Sequence, residues 1–306
     1  MNPTRRDILK LAVAGGAAGL AGCGGMKENS VSASAPAPAP TPKPVSNRMR
    51  LLFISHGSPM VAITRDDYSQ AMKWMGEDLP LPKAIVVVSA HWQENKPIRI
   101  TAGEKPETIH DFGGFPDKLS HMLYPSPGHP KLADEIVKTF IAGGFPAQLE
   151  DRGLDHGAWV PLSLTYPGAE IPVIEITLQY DMTPADYLRL GKLLAPLRER
   201  GILIAGSGGV VHSNPEMRRL KPGEKTDAWA VTFDTWFRER LAKRDYESIA
   251  NYRTAHPEGA RAAPTTEHFD PIFVTLGAAA PEDQVVDVYE GFRGANLSMR
   301  TFLLKS

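Results

Sequence analysis

Cysteine is almost absent from this sequence, and neither sign of charge dominates it. One cysteine among 306 residues excludes an internal disulfide framework, all-cysteine zinc sites and iron–sulfur clusters. Lysine and arginine number 34 against 35 aspartates and glutamates, so the formal charge is −1. That balance argues against a nucleic-acid binder, which usually has a basic excess. A hydrophobic content of 42% with 23% charged residues excludes a chain disordered throughout and a multi-span membrane protein.

Several catalytic motifs are also missing. The sequence has no HExxH zinc motif, no Walker loop and no Gly-x-Ser-x-Gly elbow. Residues 206–209 (GSGG) make a poor phosphate loop, because no Lys-Ser/Thr pair follows them. Ser58 is close to His56, but residues so near in sequence rarely face each other as a nucleophile and its base must. The nine histidines therefore remain the first candidates for metal ligands.

Residues 1–23 have the pattern of an export signal. Arg5 and Arg6 precede the apolar run 11–21, which is short for a bilayer span of about 20 residues. The arginine pair resembles a twin-arginine signal, and the segment LAGC ending at Cys23 resembles a lipobox, whose cysteine receives a lipid. The alternative is a short N-terminal helix with a chance arginine pair. We expect export to the periplasm or cell envelope, with a lipid anchor at Cys23.

The sequence after residue 23 is predicted to form a linker and one domain. Residues 24–47 include an alternating Ala-Pro run, which favours extended polyproline conformations and cannot bury a core. Residues 48–306 have the size of a single large α/β domain.

Apolar runs alternate with helical patterns along this domain. The Val-rich run Ala84 to Ala90 is continuous rather than alternating, as in a central strand covered on both faces. Alternation of strands and helices predicts a mostly parallel central sheet between two helical layers. Further strands are predicted at 50–55, 171–176, 202–206 and 285–289, and helices at 66–77, 131–142, 184–199 and 226–243.

Histidines follow several of the predicted strands. His56 and His91 come directly after the first two, and His212 follows the strand at 202–206 and its glycine-rich turn. His156 lies in a glycine-flanked loop, and His268 opens a predicted helix. Because the carboxyl ends of parallel strands meet at one edge of a sheet, we expect His56, His91 and His212 to converge there. Imidazole suits both zinc and iron.

Seven short segments form an ordered set along the chain. They are HGSP (56–59), VVVSAHW (86–92), IHDFGGFP (109–116), YPSPG (124–128), DHG (155–157), VVHS (210–213) and EHF (267–269). Together they resemble the DOPA-dioxygenase type of class III extradiol ring-cleavage dioxygenases. This LigB-like family shares the fold of the protocatechuate 4,5-dioxygenase catalytic subunit, and the resemblance covers about residues 50–304.

The resemblance implies a ring-opening reaction on a catechol-type, DOPA-like substrate with O2, at one Zn²⁺ or Fe²⁺ ion. It implies an acid–base role for His156 and substrate contacts for His110 and Ser58. The implied metal ligands are His56, His91, His212 and His268. The other histidines, which match no family motif and are interpreted as surface residues, are His121, His129 and His256.

An all-histidine ligand set is unusual for this chemistry. Extradiol sites usually hold Fe(II) with two histidines and one carboxylate, and four imidazoles around zinc leave no open position. Either one histidine moves away or only three bind, and Glu267 is the nearest candidate carboxylate. Asp155 cannot easily orient its neighbour His156, so a more distant group should hold that ring. A zinc hydrolase and a non-catalytic metal-binding lipoprotein are the alternative functions.

Overall fold

The computed structural model describes residues 48–306. The predicted signal at 1–23, the lipidation site Cys23 and the linker at 24–47 lie outside the described residues. Within 48–306, no helix combines the length and the apolar character that a membrane crossing requires.

Eight of ten strands form one mixed sheet at the centre of the domain, in the order β4-β3-β5-β2-β6-β1-β10-β7. The short strands β8 and β9 pair separately. The ten strands are β1 Leu51–Ser55, β2 Ala84–Glu94, β3 Ile98–Thr101, β4 Ala147–Glu150, β5 Val173–Gln179, β6 Ile202–Gly208, β7 Gln284–Tyr289, β8 Phe292–Arg293, β9 Leu297–Ser298 and β10 Thr301–Lys305.

The four central strands β5, β2, β6 and β1 run parallel. Val86 of β2 lies between Ile174 of β5 and Ile204 of β6. Both flanks add antiparallel pairs, β3 against β5 and β10 against β1. The sheet is therefore mostly parallel but mixed, which confirms the predicted α/β class.

Helices cover both faces of the sheet. The longer ones are α1 Asp67–Asp78, α3 Pro130–Ala142, α4 His156–Thr165, α5 Pro184–Leu194, α6 Ala228–Ala242 and α10 Pro271–Gly277. The short ones are α2 Asp117–Ser120, α7 Tyr246–Ala250, α8 Tyr252–Ala255 and α9 Gly259–Ala262. Single 3-10 turns occupy Pro59–Ile63, Ala195–Arg200 and Asn214–Glu216.

Alternate residues of the central strands belong to two separate hydrophobic cores. Leu51 and Phe53 pack in one core with residues of α3, α5, α6 and α10. Leu52 and Ile54 pack in the other with residues of α1 and α4. Because side chains alternate across a strand, an apolar strand buried on both faces requires a helical layer on each side. This is the predicted three-layer arrangement.

Several predicted boundaries and two local placements differ from the structure. Strand β2 does not stop at Ala90 but continues to Glu94. Helix α5 ends at Leu194 and a 3-10 turn follows, because Pro196 has no N–H to continue the α-helical bonding. His156 begins α4 rather than lying in a loop, while His268 lies in a turn three residues before α10.

Candidate metal centre and active site

Three histidines meet at the carboxyl edge of the central strands. His56 directly follows β1, and its Nε2 lies 3.0 Å from Nε2 of His91. His268 completes a group in which one nitrogen from each ring lies within 4.8 Å of the others. A metal with N ligands at about 2.0–2.1 Å in a tetrahedral site separates those nitrogens by about 3.3 Å. These three rings therefore fit one divalent ion.

A bulge in β2 brings His91 into this group. Val88 pairs with Ile176 of β5, and the next paired residue, Gln93, pairs with Leu178. Strand β2 therefore advances by five residues where β5 advances by two. The surplus residues leave the regular ladder, and His91 is among them. Bulges commonly re-aim a side chain beside an active site.

Ser207 fixes the tautomer of His56. The Ser207 hydroxyl donates to the carbonyl oxygen of Gly157 at 2.5 Å, since a carbonyl can only accept. The hydroxyl has no second proton, so Nδ1 of His56, 2.9 Å away, donates to Ser207 Oγ. This leaves the Nε2 lone pair of His56 free, as a metal ligand requires.

His268 is held in the same way by a carboxylate. Oε1 of Glu267 lies 3.0 Å from its Nδ1, while its Nε2 is buried without a hydrogen-bond partner. Burial of Glu267 raises its pKa, but bonds to His268 and Thr265 outweigh burial and lower the pKa to about 2. Glu267 therefore supports His268 as an anion. It belongs to neither of the two groups of candidate metal donors among the described residues, His56–His91–His268 and His91–Asp111–His156.

His212 lies against His268 in a parallel stack. The ring centroids are 3.4 Å apart and the ring planes differ by 7°. An imidazole binds a metal in its own ring plane, and two nearly parallel planes this far apart do not meet at one ion. In this arrangement His268 and His212 cannot both bind the metal that His56 and His91 hold, so the four-histidine ligand set stays a prediction.

Burial favours the neutral state of these histidine rings, which is the state that binds metals. Burial, followed by the neighbouring histidines, lowers the pKa of His91 to about 3 and that of His212 to about 3. The same causes hold the pKa of His56 well below its usual range. A neutral imidazole offers its lone pair without first losing a proton.

His156 lies beside the metal group and is oriented by Asp111. Its Nδ1 is 2.8 Å from Oδ2 of Asp111, and its backbone N–H donates to Oδ1 at 3.0 Å. Burial opposes ionisation of Asp111, but these contacts with His156 lower its pKa. The two residues are 45 positions apart. The sequence-based expectation of a distant orienting group is confirmed, although Asp111 itself was not predicted.

The glycines around the site allow close backbone approaches. A Cβ on Gly208 would lie 2.0 Å from the carbonyl oxygen of His268, and one on Gly206 would lie 2.4 Å from that of Pro271. A Cβ on Gly157 would lie 2.3 Å from Ser89 Oγ. The GSGG segment therefore lets the His268 turn pack on β6, which is a role in packing and not in phosphate binding.

Comparison with known proteins identifies the family. The family model for the catalytic LigB subunit of aromatic ring-opening dioxygenase matches residues 50–297. This chain belongs to that family. The enzyme called 4,5-DOPA dioxygenase extradiol in Beta vulgaris is 37% identical over 267 residues, which cover 85% of this chain and 98% of the relative. Its Escherichia coli counterpart is 37% identical over 259 residues, covering 83% and 94%.

A crystal structure of an uncharacterized Escherichia coli K12 protein has the same fold. Its TM-score is 0.72 at 31% identity, and the match covers 84% of this chain and 99% of that one. The family match and these relatives show that the chain is a metal-dependent extradiol ring-cleavage dioxygenase, an oxidoreductase that incorporates both atoms of O2. The first of the three functions considered from the sequence is thereby confirmed.

The active site of this dioxygenase opens into a cavity of about 200 Å³. The cavity is lined by Gly57, Ser58, Pro59, His91, His156, His212, Asn214, Met217, His268 and Leu297. Ser58, predicted to contact substrate, is thus placed beside the metal group. Its side chain makes no capping bond to the 3-10 turn that it precedes.

His110 is not among the residues that line this cavity. Its Nε2 is 2.9 Å from the carbonyl oxygen of Met122, and its ring packs against Trp159 and Phe112. It lines a separate cavity of about 710 Å³. The ring of Phe112 makes edge contacts with the rings of both His110 and His156. A substrate role for His110 stays a prediction.

The remaining histidines lie away from the metal group. His121 is exposed, and His129 caps α3 by accepting from the backbone N–H of Leu132. His256 packs against Phe233 and Trp236. His121 agrees with the surface interpretation, whereas the other two are half-buried structural residues.

Proposed function

We propose that this dioxygenase opens a small catechol of the DOPA type and that Fe(II) is its working metal. The relatives named 4,5-DOPA dioxygenase extradiol, which match more than four-fifths of the chain, support this substrate class. Zinc has no redox chemistry, so it does not suit a reaction that consumes O2. The observation that carries the proposal is the convergence of three imidazoles beside the Asp111–His156 pair, at a cavity that His91, His156 and His268 line.

His56, His91 and His268 are the proposed ligands, and His212 is an alternative to His268. A divalent ion held by neutral ligands keeps its full charge, and it would bind both catechol oxygens and favour their ionisation. Three protein ligands leave positions for catechol and O2, whereas four in a tetrahedron would not.

His156 is the proposed general base and acid. Because Asp111 accepts the Nδ1 proton, Nε2 of His156 is the atom that takes a proton from the substrate hydroxyl and later returns one. The same carboxylate stabilises the imidazolium that forms. Pro59, Met217 and Leu297 give the cavity an apolar wall for the ring, and Ser58 offers a hydroxyl to a polar substituent.

The test is an anaerobic reconstitution with Fe(II), followed by addition of catechols and air. We expect one O2 consumed per ring opened, with a yellow product, and no product from protein loaded with zinc alone. His56→Ala and His91→Ala should lower metal occupancy. Equal turnover with zinc, or unchanged occupancy in both variants, would contradict the metal assignment.

We also propose that the chain is exported and lipid-anchored through Cys23. The support is the order of the arginine pair, the apolar run and the sole cysteine. The family match begins at residue 50, so this N-terminal region lies outside it.

A further inference from the structure

Two buried carboxylates adjoin the active site and share one guanidinium. The side chains of Asp155 and Glu175 are fully buried. Nη2 of Arg152 lies 3.5 Å from Oδ2 of Asp155, and Nη1 lies 3.2 Å from Oε1 of Glu175. The guanidinium stacks over the ring of Trp92 at 4.3 Å, which restricts its orientation. None of these four residues lines the active-site cavity.

Asp155 connects this group to the catalytic histidine. It is the N-cap of α4, and its Oδ1 accepts from the backbone N–H of Gly157 at 3.0 Å. His156 is the first residue of that helix. The backbone N–H of Asp155 in turn donates to Oε2 of Glu175 at 3.1 Å. The position of His156 therefore depends on both buried carboxylates.

Asp155 is also connected to the metal ligand His91. Its Oδ1 accepts from Ser89 Oγ at 2.7 Å, and Ser89 Oγ accepts from the backbone N–H of His91 at 3.2 Å. The β2 bulge, through Ser89, and the first turn of α4 are thus both hydrogen-bonded to the Asp155 carboxylate. Its other oxygen, Oδ2, is buried without a hydrogen bond, and Nη2 of Arg152 lies 3.5 Å from it.

We propose that Arg152 is a positioning residue for the ring-opening reaction. By contacting the carboxyl groups of both Asp155 and Glu175, it holds the metal ligand His91 and the base His156 in one fixed relation. The inference rests on the proposed roles of these two histidines. A buried carboxylate that loses its partner takes up a proton or moves towards water, and either change displaces the bulge and the helix turn together.

The test compares Arg152→Gln and Arg152→Lys with the matched control Arg99→Gln. Arg99 forms a partly buried ion pair with Glu150 between β3 and the edge strand β4, and neither residue lines the active-site cavity. We expect Arg152→Gln to lower kcat by about 10- to 100-fold and to weaken metal binding by a similar factor, with KM changed less. The single ammonium group of lysine cannot stack on Trp92 and contact both carboxyl groups as the guanidinium does. Arg152→Lys should therefore recover only part of the kcat and metal affinity lost in Arg152→Gln. The control should leave both quantities unchanged.

The double variant Arg152→Gln/Glu175→Gln keeps the test valid if the single variant fails to fold. Burial and the neighbouring Asp155 hold the pKa of Glu175 well above its usual range, so glutamine at this position preserves an uncharged side chain of nearly the same shape. Its oxygen can still accept from the backbone N–H of Asp155, and its NH₂ group can donate to the Asp155 carboxylate in place of the lost guanidinium. We expect near-normal thermal stability but still at least a 10-fold loss of metal affinity and kcat. Full kcat and full metal affinity in a stably folded double variant would overturn the proposal.

Metal affinity, measured by competition with a chelator, separates this inference from the proposed function. If the unaltered protein opens no catechol, the proposed function fails, and the inference is then judged on metal affinity alone. If the unaltered protein is active and Arg152→Gln binds metal normally with full kcat, Arg152 has no positioning role.

Discussion

Replacement of Asp111 by asparagine tests the orientation of His156 most directly. The carboxylate accepts from the ring Nδ1 at 2.8 Å and from the backbone N–H of His156 at 3.0 Å. Asparagine has nearly the same shape but only one acceptor oxygen. If that oxygen stays on the backbone N–H, the amide NH₂ faces Nδ1 and favours the tautomer with its proton on Nε2. That tautomer cannot accept a proton from substrate.

The expected loss follows from the charge and the tautomer. A hydrogen bond to a charged group contributes about 1.5–3 kcal/mol, and each 1.36 kcal/mol in a barrier is about tenfold in rate. Loss of charge alone should therefore lower kcat by about 10- to 150-fold. In serine proteases the equivalent exchange lowers kcat by about 10⁴-fold through the wrong tautomer, which sets the upper limit.

Steady-state O2 uptake with the Fe(II)-loaded variant measures this loss. Metal content should stay close to that of the unaltered protein, and the solvent isotope effect on kcat should increase as proton transfer becomes limiting. Asp186→Asn is a matched control, because Asp186 forms the capping box of α5 with Thr183, away from the cavity. A kcat within about threefold of the unaltered value, in a folded and loaded Asp111→Asn protein, would refute the role of Asp111.

Three further predictions follow from the same structure. His156→Ala should retain its metal and lose about 10²- to 10⁴-fold in kcat, and loss of metal instead would make His156 a ligand. For metal-free protein, His91 and His212 have folded-state pKa values of about 3, whereas unfolded histidine titrates near 6.5. The unfolded state thus binds more protons below about pH 6, and the free energy of unfolding should fall by about 1.4 kcal/mol per pH unit for each ring down to about pH 4. Urea unfolding between pH 7.5 and 4.5 measures this, and a flat profile would contradict buried neutral rings. Cys23→Ser should release the protein from membranes on fractionation, and continued membrane association would count against lipidation.

The amino-acid sequence alone determined the central part of this fold and the residues that could form the site. Continuous apolar runs such as Val86 to Val88 identify strands buried on both faces, because no polar face is left for water. Histidines that follow such strands are brought to the same edge of a parallel sheet. The sequence also implied that His156 needs a distant partner, since Asp155 is its neighbour.

Only the tertiary structure decided how those residues face one another. The β2 bulge that turns His91 inward arises from unequal pairing with β5, and no local pattern records it. The same is true of Asp111 reaching His156, of His212 stacking on His268, and of Phe112 contacting both His110 and His156. Each depends on atoms from segments far apart in the chain, and hydrophobic periodicity determines which faces are buried but not which side chains then meet.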